Sequence, residues 1–372
     1  MRVTRFIHPV GQGAFYSERI EHEDHTYNIV YDCGYGNKKK TPKRLEREIA
    51  SYYKNDDVID VLFISHFDND HINGINELKR HTSMIRNIIV PLIEEEDFWF
   101  YSIENNEFER FYNSLTKLAN SVYKIKPAGD DDKYHHLNDT EWKDLSESVN
   151  GSSKVLNATK FSLKKGIDWC YIPFNYDKKI RLNILKNELV KNGISEKELT
   201  GGWDVIEHHI DNIKKAYQKI VTDGANKTSL ILYSGSMRGE YVCRQYQGCM
   251  CYYPWLYDRP FDEHDKEGCL YFGDNDLNQA NILQNLKDKL GSLIGRVGTI
   301  QVPHHGAIKN FNDDIFAINN SAKIFFVSFG NKNPYRHPAS RVVDEILNNG
   351  NVLFEITEEM NSTYIQIITK IS

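Results

Sequence analysis

The stretch VIDVLFISHFDNDHINGINELKR, residues 58–80, constrains this chain more than any other. Its first eight residues are a nearly unbroken apolar run, the pattern of a strand buried on both faces. From His71 onward the apolar positions return at helical spacing. A buried strand that delivers straight into a helix is the repeating unit of a parallel α/β sheet. The junction between the two is where open sheets place ligands. Here that junction holds His66, Asp68, Asp70 and His71, four metal-capable side chains in six positions.

An EF-hand loop is the competing reading of H-x-D-x-D-H. The best register starts at Asn69 and puts Gly74 at the sixth position. It fails at the third position, His71, and at the twelfth, Arg80, where a bidentate glutamate is required. Two imidazoles suit zinc, manganese or iron better than calcium, and the aspartates add harder oxygen ligands that tilt a site toward manganese.

The same junction recurs downstream. Asp274 follows GCLYFG, His304 and His305 follow GTIQVP, and His337 lies beyond AKIFFVSFGN. Strand C-termini on one sheet edge converge, so these segments can assemble one site. Two divalent ions, zinc or manganese, would sit there, with Asp70 as ligand and orienter of a nucleophilic water and Asp274 as the bridge.

The rest of the chain supports an α/β reading. RVTRFIH, AFYSERI and YNIVYD read as strands separated by turns. TPKRLEREIASYYK reads as a helix with Thr41 as N-cap and Pro42 at the first helical position. From about 92 to 226 the texture changes to aromatic-rich and amphipathic helical segments with polar loops. Strand–turn–helix alternation resumes at KTSLILYSG, residues 227–235. The expectation is one α/β core, residues 1–91 and 227–372, interrupted by a mostly helical insertion over 92–226 that covers the site or docks a partner.

Bulk properties narrow the function classes. The net charge of −6 argues against a protein that coats long nucleic acid. KKKTPKR (38–44), Lys164–Lys165 and KKIR (178–181) read as solvated faces. No apolar run approaches the ~18–20 residues of a membrane helix. The N-terminus lacks a signal-peptide core, and six scattered cysteines read as free thiols of a reducing cytoplasm. Cys243, Cys249 and Cys251 lack the second C-x-x-C of a zinc site.

The motif set resembles the metallo-β-lactamase fold, and within it the ComEC-type hydrolase domain of DNA-uptake competence proteins. The likeness runs through VGQGA (10–14), YDCG (31–34), SHFDNDHINGI (65–75), GD (273–274), VPHHG (302–306) and NPYRHP (333–338), in family order. Ala307 stands where the family has a serine, and Arg336 where it has a glycine. The wider superfamily has histidine at Asp68, and its intervening third-motif histidine is not identifiable; His135 and His136 read as surface side chains, and His208 and His209 as structural residues of a helix.

The resemblance implies an αββα sandwich with the metals at one edge. It names His66, Asp68, Asp70, His71, Asp274 and His304 or His305 as the metal set. Asp32 would support it from behind. His337 would be a ligand, a general acid or a phosphate contact, and Lys309, Tyr335 and Arg336 could hold an anionic phosphate. The function expected is a metal-dependent phosphodiesterase or nuclease using a metal-activated hydroxide. Nucleic acid is the expected partner, with Trp99 and its aromatic neighbours available for stacking. The alternatives are a small-molecule hydrolase, acting on a lactone, thioester, amide or cyclic nucleotide, and a metal-bound interaction module.

Overall fold

The computed structural model describes residues 1–371 apart from 37–42, 96–97, 105–106, 129–140, 147–148, 158, 177–179, 200–207, 210, 214, 217–228, 249–261 and 319–322. The chain opens on a meander of three strands, β1 (Arg2–Ile7), β2 (Phe15–His22) and β3 (His25–Cys33). Helix α1 (Lys43–Tyr52) then crosses to β4 (Val58–Phe63). Helices α2 (Asn69–Ile72) and α3 (Ile75–Arg80) lead to β5 (Met84–Pro91). Helices α4 (Phe98–Glu104) and α5 (Phe108–Leu118) lead to β6 (Ala119–Ile125). The pairs β3–β4, β4–β5 and β5–β6 are all parallel. Parallel neighbours need a crossover, and the helices supply it on one outer face.

Next come β7 (Glu141–Asp144), β8 (Ser152–Leu156), β9 (Thr159–Ser162) and β10 (Cys170–Asn175). They are followed by α6 (Ile180–Lys191), α7 (Glu196–Leu199), β11 (Leu230–Gly235), β12 (Tyr241–Gln247) and β13 (Asp262–His264). A second parallel winding closes the chain. It runs β14 (Gly268–Tyr271), α8 (Ile282–Leu290), β15 (Val297–Gln301), β16 (Ile324–Ser328), α9 (Ser340–Asn348) and β17 (Val352–Ile356). The final strand, β18 (Tyr364–Lys370), returns to pair with β1 and β12.

Two sheets result. The first has the order β13-β12-β18-β1-β2-β3-β4-β5-β6-β8, and the second β17-β16-β15-β14-β11-β10-β9-β7. Side-chain alternation shows which faces meet. On β14, Cys269 and Tyr271 pack in the core between the sheets, while Leu270 and Phe272 pack outward with α8. On β4, Val61 and Phe63 point between the sheets, while Leu62 packs outward with Leu45 and Ile49 of α1 and Leu115 of α5. Three apolar clusters thus lie in helix–sheet, sheet–sheet and sheet–helix layers. The expected αββα sandwich is the fold.

The stretch expected as a mostly helical insertion also carries strands of both sheets. Residues 92–226 contain β6 and β8, which extend the first sheet, and β7, β9 and β10, which extend the second. Helices α4 and α5 are ordinary crossovers of the same winding. Two features hid this. The strands are short beside their aromatic-rich helices, and β10 carries Pro173, which argues against an interior strand. Only Cys170 and Tyr171 of β10 pair with β9, so Pro173 breaks no ladder bond on that side, and its carbonyl accepts from the Lys289 ammonium. The N-cap read at Thr41–Pro42 lies outside the described residues. Among the described residues, no helix is long and apolar enough to cross a membrane.

Candidate metal centre

The C-terminal ends of β3, β4, β14, β15 and β16 meet at one edge of the sandwich, and each brings a piece of the site. Asp32 is the penultimate residue of β3, and His66 and Asp70 follow β4. Asp274 follows β14, and His304–His305 follow β15. The loop after β16 ends at His337.

Two triads of ligand atoms form. His66, His71 and Asp274 make one, and Asp70, His71 and His305 the other, with the atoms of each group within 4.8 Å of one another. Asp274 lies at the centre. Its Oδ1 is 3.4 Å from His71 Nε2, and its Oδ2 is 3.8 Å from His66 Nε2 and 3.6 Å from His304 Nε2. Asp70 Oδ2 is 3.5 Å from His305 Nε2. Asp68 is part-exposed and stands outside both triads, its Oδ2 4.0 Å from His66 Nε2.

The hydrogen bonds behind these side chains fix which ring nitrogen faces the site. His71 Nδ1–H donates to Asp32 Oδ2 at 2.8 Å. The Ser65 backbone N–H and hydroxyl both donate to Asp32, at 2.7 and 2.6 Å. With its proton spent there, Ser65 Oγ accepts from His66 Nδ1–H at 2.9 Å. Ser229 Oγ lies 3.2 Å from the same nitrogen and accepts the Asp274 backbone N–H at 2.9 Å. His305 Nδ1–H donates to the Ser328 carbonyl at 2.7 Å. All three rings are therefore anchored through Nδ1, which leaves the Nε2 lone pairs aimed inward.

Those inward atoms have no hydrogen-bond partner. His66 Nε2, His71 Nε2, His305 Nε2 and Asp274 Oδ1 are all buried and unsatisfied, as are His304 Nδ1 and His337 Nδ1. Buried polar atoms without partners are rare because each costs ~1–3 kcal/mol. Six at one strand edge are what a pocket for cations requires. His66 and Asp274 are 4% and 3% exposed and His71 is fully buried, so bulk water does not bathe these atoms.

The electrostatics agree. Burial alone would depress His71, but Asp274 and Asp32 outweigh it and hold the imidazole well above its usual range. Burial would raise Asp274, but His304 and His71 outweigh it and hold its carboxyl well below the usual range. Asp70 is likewise lowered against burial, first by the His305 imidazole facing its carboxylate and then by the His71 charge. His66 is pushed down to about 3 by burial and then by His71. The carboxylates, crowded into a desolvated pocket, draw positive charge onto whichever neighbour can carry it.

Backbone geometry sharpens the placement. Among the described residues, the non-glycine positions at positive φ include Asp32 (56°), His304 (47°), His305 (54°) and Arg336 (58°). Left-handed conformations cost such residues free energy and persist where the surroundings enforce them, often at functional sites. Arg336 thus holds a backbone conformation that glycine adopts most readily. Gly34 lies against the site backbone: a Cβ there would lie 2.2 Å from Asp70 O and 2.5 Å from His71 N. The neighbouring Ala14 N–H donates to Asp70 O at 3.1 Å. The VGQGA and YDCG segments thus form a backbone clamp on Asp70 and His71.

The remaining expected residues lie at the rim. His337 is half-buried, and its ring centre is 5.9 Å from that of His304. Burial, then the His305 and His304 charges, push it down to about 4. Tyr335 is exposed and stacks on His337 with ring centres 5.6 Å apart. Arg336 and Lys309 are exposed beside the motif residues. Trp99 is buried, as core packing requires. His135, His136, Cys249 and Cys251 lie outside the described residues. Cys243 is a buried free thiol, and His208 and His209 fall in a turn, not in the expected helix. Sequence reading missed Ser65 and Ser229, which set the imidazole tautomers; the signal at Ser65 was its place between the β4 run and His66.

Residues 20–147 match the family model described as Metallo-beta-lactamase superfamily. No curated protein matches the chain. Among solved structures, the metallo-beta-lactamase fold protein YhfI from Bacillus subtilis is 8% identical, with 100% of each chain covered and a TM-score of 0.39. Unliganded yeast PDE1 is 10% identical, covering 98% of this chain and 99% of its own, with a TM-score of 0.40. Both likenesses are too remote to carry an activity across. The matched residues include β3, β4 and the motif itself. Over residues 20–147 the chain is similar to the metallo-beta-lactamase superfamily.

Proposed function

We propose that this protein is a metal-dependent hydrolase of phosphodiester bonds, a nuclease or a close functional relative of one. The observation that carries the reading is the set of three imidazoles locked through Nδ1, with unsatisfied Nε2 atoms converging on Asp274 and Asp70. His66, His71, Asp274, Asp70 and His305 would hold two divalent ions, with His304 and Asp68 beside them. Such ions supply a nucleophile at neutral pH and screen the charge that develops on a phosphoryl group.

The protein's own side chains do the positioning. Asp32 fixes the His71 ring through Nδ1, and the Gly34 clamp fixes the Asp70 backbone. A donor set of imidazole and carboxylate with no thiolate suits zinc or manganese. His337 is held neutral and half-buried at the rim, where it can donate one hydrogen bond to a phosphoryl oxygen. An arriving phosphate raises the proton affinity of that ring, as any nearby anion does. Tyr335 and Arg336 stand beside it for the flanking phosphates. The sequence resemblance to the competence-protein branch favours phosphodiesters over the esters and amides that the same fold accommodates.

The test is cleavage of labelled single- and double-stranded DNA and RNA with Mn²⁺, Zn²⁺, Mg²⁺ or EDTA, beside a chromogenic phosphodiester and a chromogenic ester. Metal-dependent phosphodiester cleavage that falls at least ~100-fold in Asp70→Ala and His71→Ala is expected. Ester hydrolysis with no phosphodiester cleavage, by metal-loaded protein, would replace the reading with a small-molecule hydrolase.

A further inference from the structure

The opposite end of the sandwich carries a second, chemically distinct site. Strand register fixes its place. Leu230, next to Ser229 at the metal edge, pairs with Asn175, whereas Gly235 pairs with Cys170 at the far end. The turns at 164–168 and 236–239 therefore lie away from the metal centre. Lys370 joins them, because β18 begins at the metal edge, where Tyr364 pairs with Ile7, and runs away from it. Between these segments and β7 lies a cavity of about 910 Å³.

Its lining is cationic in a chain of net charge −6. Lys164, Lys165, Arg238 and Lys370 come from three separate segments and surround it, with Ile167 and Met237 as apolar floor and Trp142 as wall. Two carboxylates line it as well, and both are already engaged. Asp168 accepts the backbone N–H groups of Met237, Arg238 and Gly239 at 3.1, 3.1 and 2.6 Å. Asp144 accepts the N–H and hydroxyl of Ser146 at 2.8 and 2.7 Å and the Lys165 N–H at 3.2 Å. Among the described residues, none of the four cationic side chains forms an ion pair. The lining thus sets four cationic side chains against two carboxylates, and an anionic ligand offsets the positive excess.

Trp142 decides what kind of anion. It is 46% exposed on the edge strand β7. The Lys160 ammonium lies 5.3 Å from its ring centre, a contact that steadies the ring. A simple inorganic anion has no use for an indole or an apolar floor. A nucleic-acid strand is held by aromatics in series, and this cavity offers one. We propose that the cavity binds a nucleoside polyphosphate, with the base against Trp142 and the phosphates among Lys164, Lys165, Arg238 and Lys370. The volume lies within the range of small-molecule sites. The backbone donors of the 237–239 turn are spent on Asp168, so the phosphates are recognised by side chains alone. This site is independent of the hydrolase reading.

Calorimetric titration of the intact protein with ATP, GTP, adenosine, tripolyphosphate and oligothymidylate tests the assignment. Saturable ATP or GTP binding is expected, weakened at least ~10-fold by Lys164→Ala combined with Arg238→Ala. Trp142→Ala should weaken nucleotide binding about tenfold and leave tripolyphosphate unchanged, and Trp142→Tyr should restore most of the loss. His71→Ala should bind nucleotide as the parent does, which separates this cavity from the metal centre. Absence of saturable nucleotide binding, or binding untouched by the cavity substitutions, overturns the proposal. So does oligothymidylate binding tighter than ATP and lost in the same variants, which would assign the cavity to a nucleic-acid strand.

Discussion

At the scale of single residues, the candidate metal centre depends on positions that carry no chemistry themselves. Gly34 is one. The atoms that its missing Cβ would strike are the backbone of Asp70 and His71, which cannot swing aside as a flexible side chain could. Gly34→Ala should therefore displace both candidate ligands. We expect metal affinity to fall by at least ~10-fold and stability by about 1–3 kcal/mol, read by metal titration and by denaturant unfolding. The cluster of candidate ligands was legible in the sequence because histidine and aspartate at strand ends are few and spaced in a pattern. Ser65 and Ser229 were not legible: a hydroxyl is ordinary anywhere, and its role here exists only once β4 and β11 bring it to a ring nitrogen.

At the scale of elements, Lys289 of α8 is an anomaly with a measurable consequence. Its side chain is buried over the Phe174 ring of β10, with the ammonium 5.2 Å from the ring centre, and it donates to the Pro173 carbonyl at 3.1 Å. Burial pushes its pKa down to about 7. The unfolded chain keeps the proton to about 10.4, so between about pH 7 and 10 it binds more protons than the fold does. Stability contributed by this group must rise with pH across that window. Lys289→Met should stabilise the protein by about 1–3 kcal/mol near pH 7, with a gain that shrinks toward pH 10, measured as Tm against pH. The alternation of buried strand and helix in residues 58–91 and 268–356 was readable because long apolar runs and helical periodicity coincide there. The strands of 92–226 were not. Four-residue strands such as β7 and β9 give too few positions for a period to show, and Pro173 reads as a break until its neighbours are known.

At the scale of the whole molecule, one ion pair lies between the two sheets. Arg5 of β1 is fully buried and donates through Nε to Glu18 of β2 at 2.7 Å. Glu18 also accepts from Ser234 of β11 at 2.7 Å, Tyr171 of β10 at 2.9 Å and Tyr271 of β14 at 3.0 Å, all from the opposite sheet. Arg5 reaches the Glu267 carbonyl and the Gln366 side chain. Glu18→Ala would strand a buried guanidinium and three hydroxyl donors at once, and a loss of about 3–5 kcal/mol is expected by urea unfolding. Glu18→Gln should cost less, since it keeps an acceptor. The sequence could place β1 and β2 side by side, but it gave no sign that their polar residues face inward.

The candidate ligands of the proposed metal centre come from both sheets: His66, Asp70 and His71 from the first, Asp274 and His305 from the second. An ion held among them is therefore a rivet through two plates as well as a reagent. Removing it should loosen the plates before any substrate is considered. Chelation is expected to lower Tm and to raise the amide hydrogen exchange of β4 and β14 together. Graded metal addition should restore Tm with the logarithmic dependence of a ligand that binds only the folded state. Equal melting with and without chelator, in protein shown to bind metal, would mean that the plates are held by their apolar faces alone.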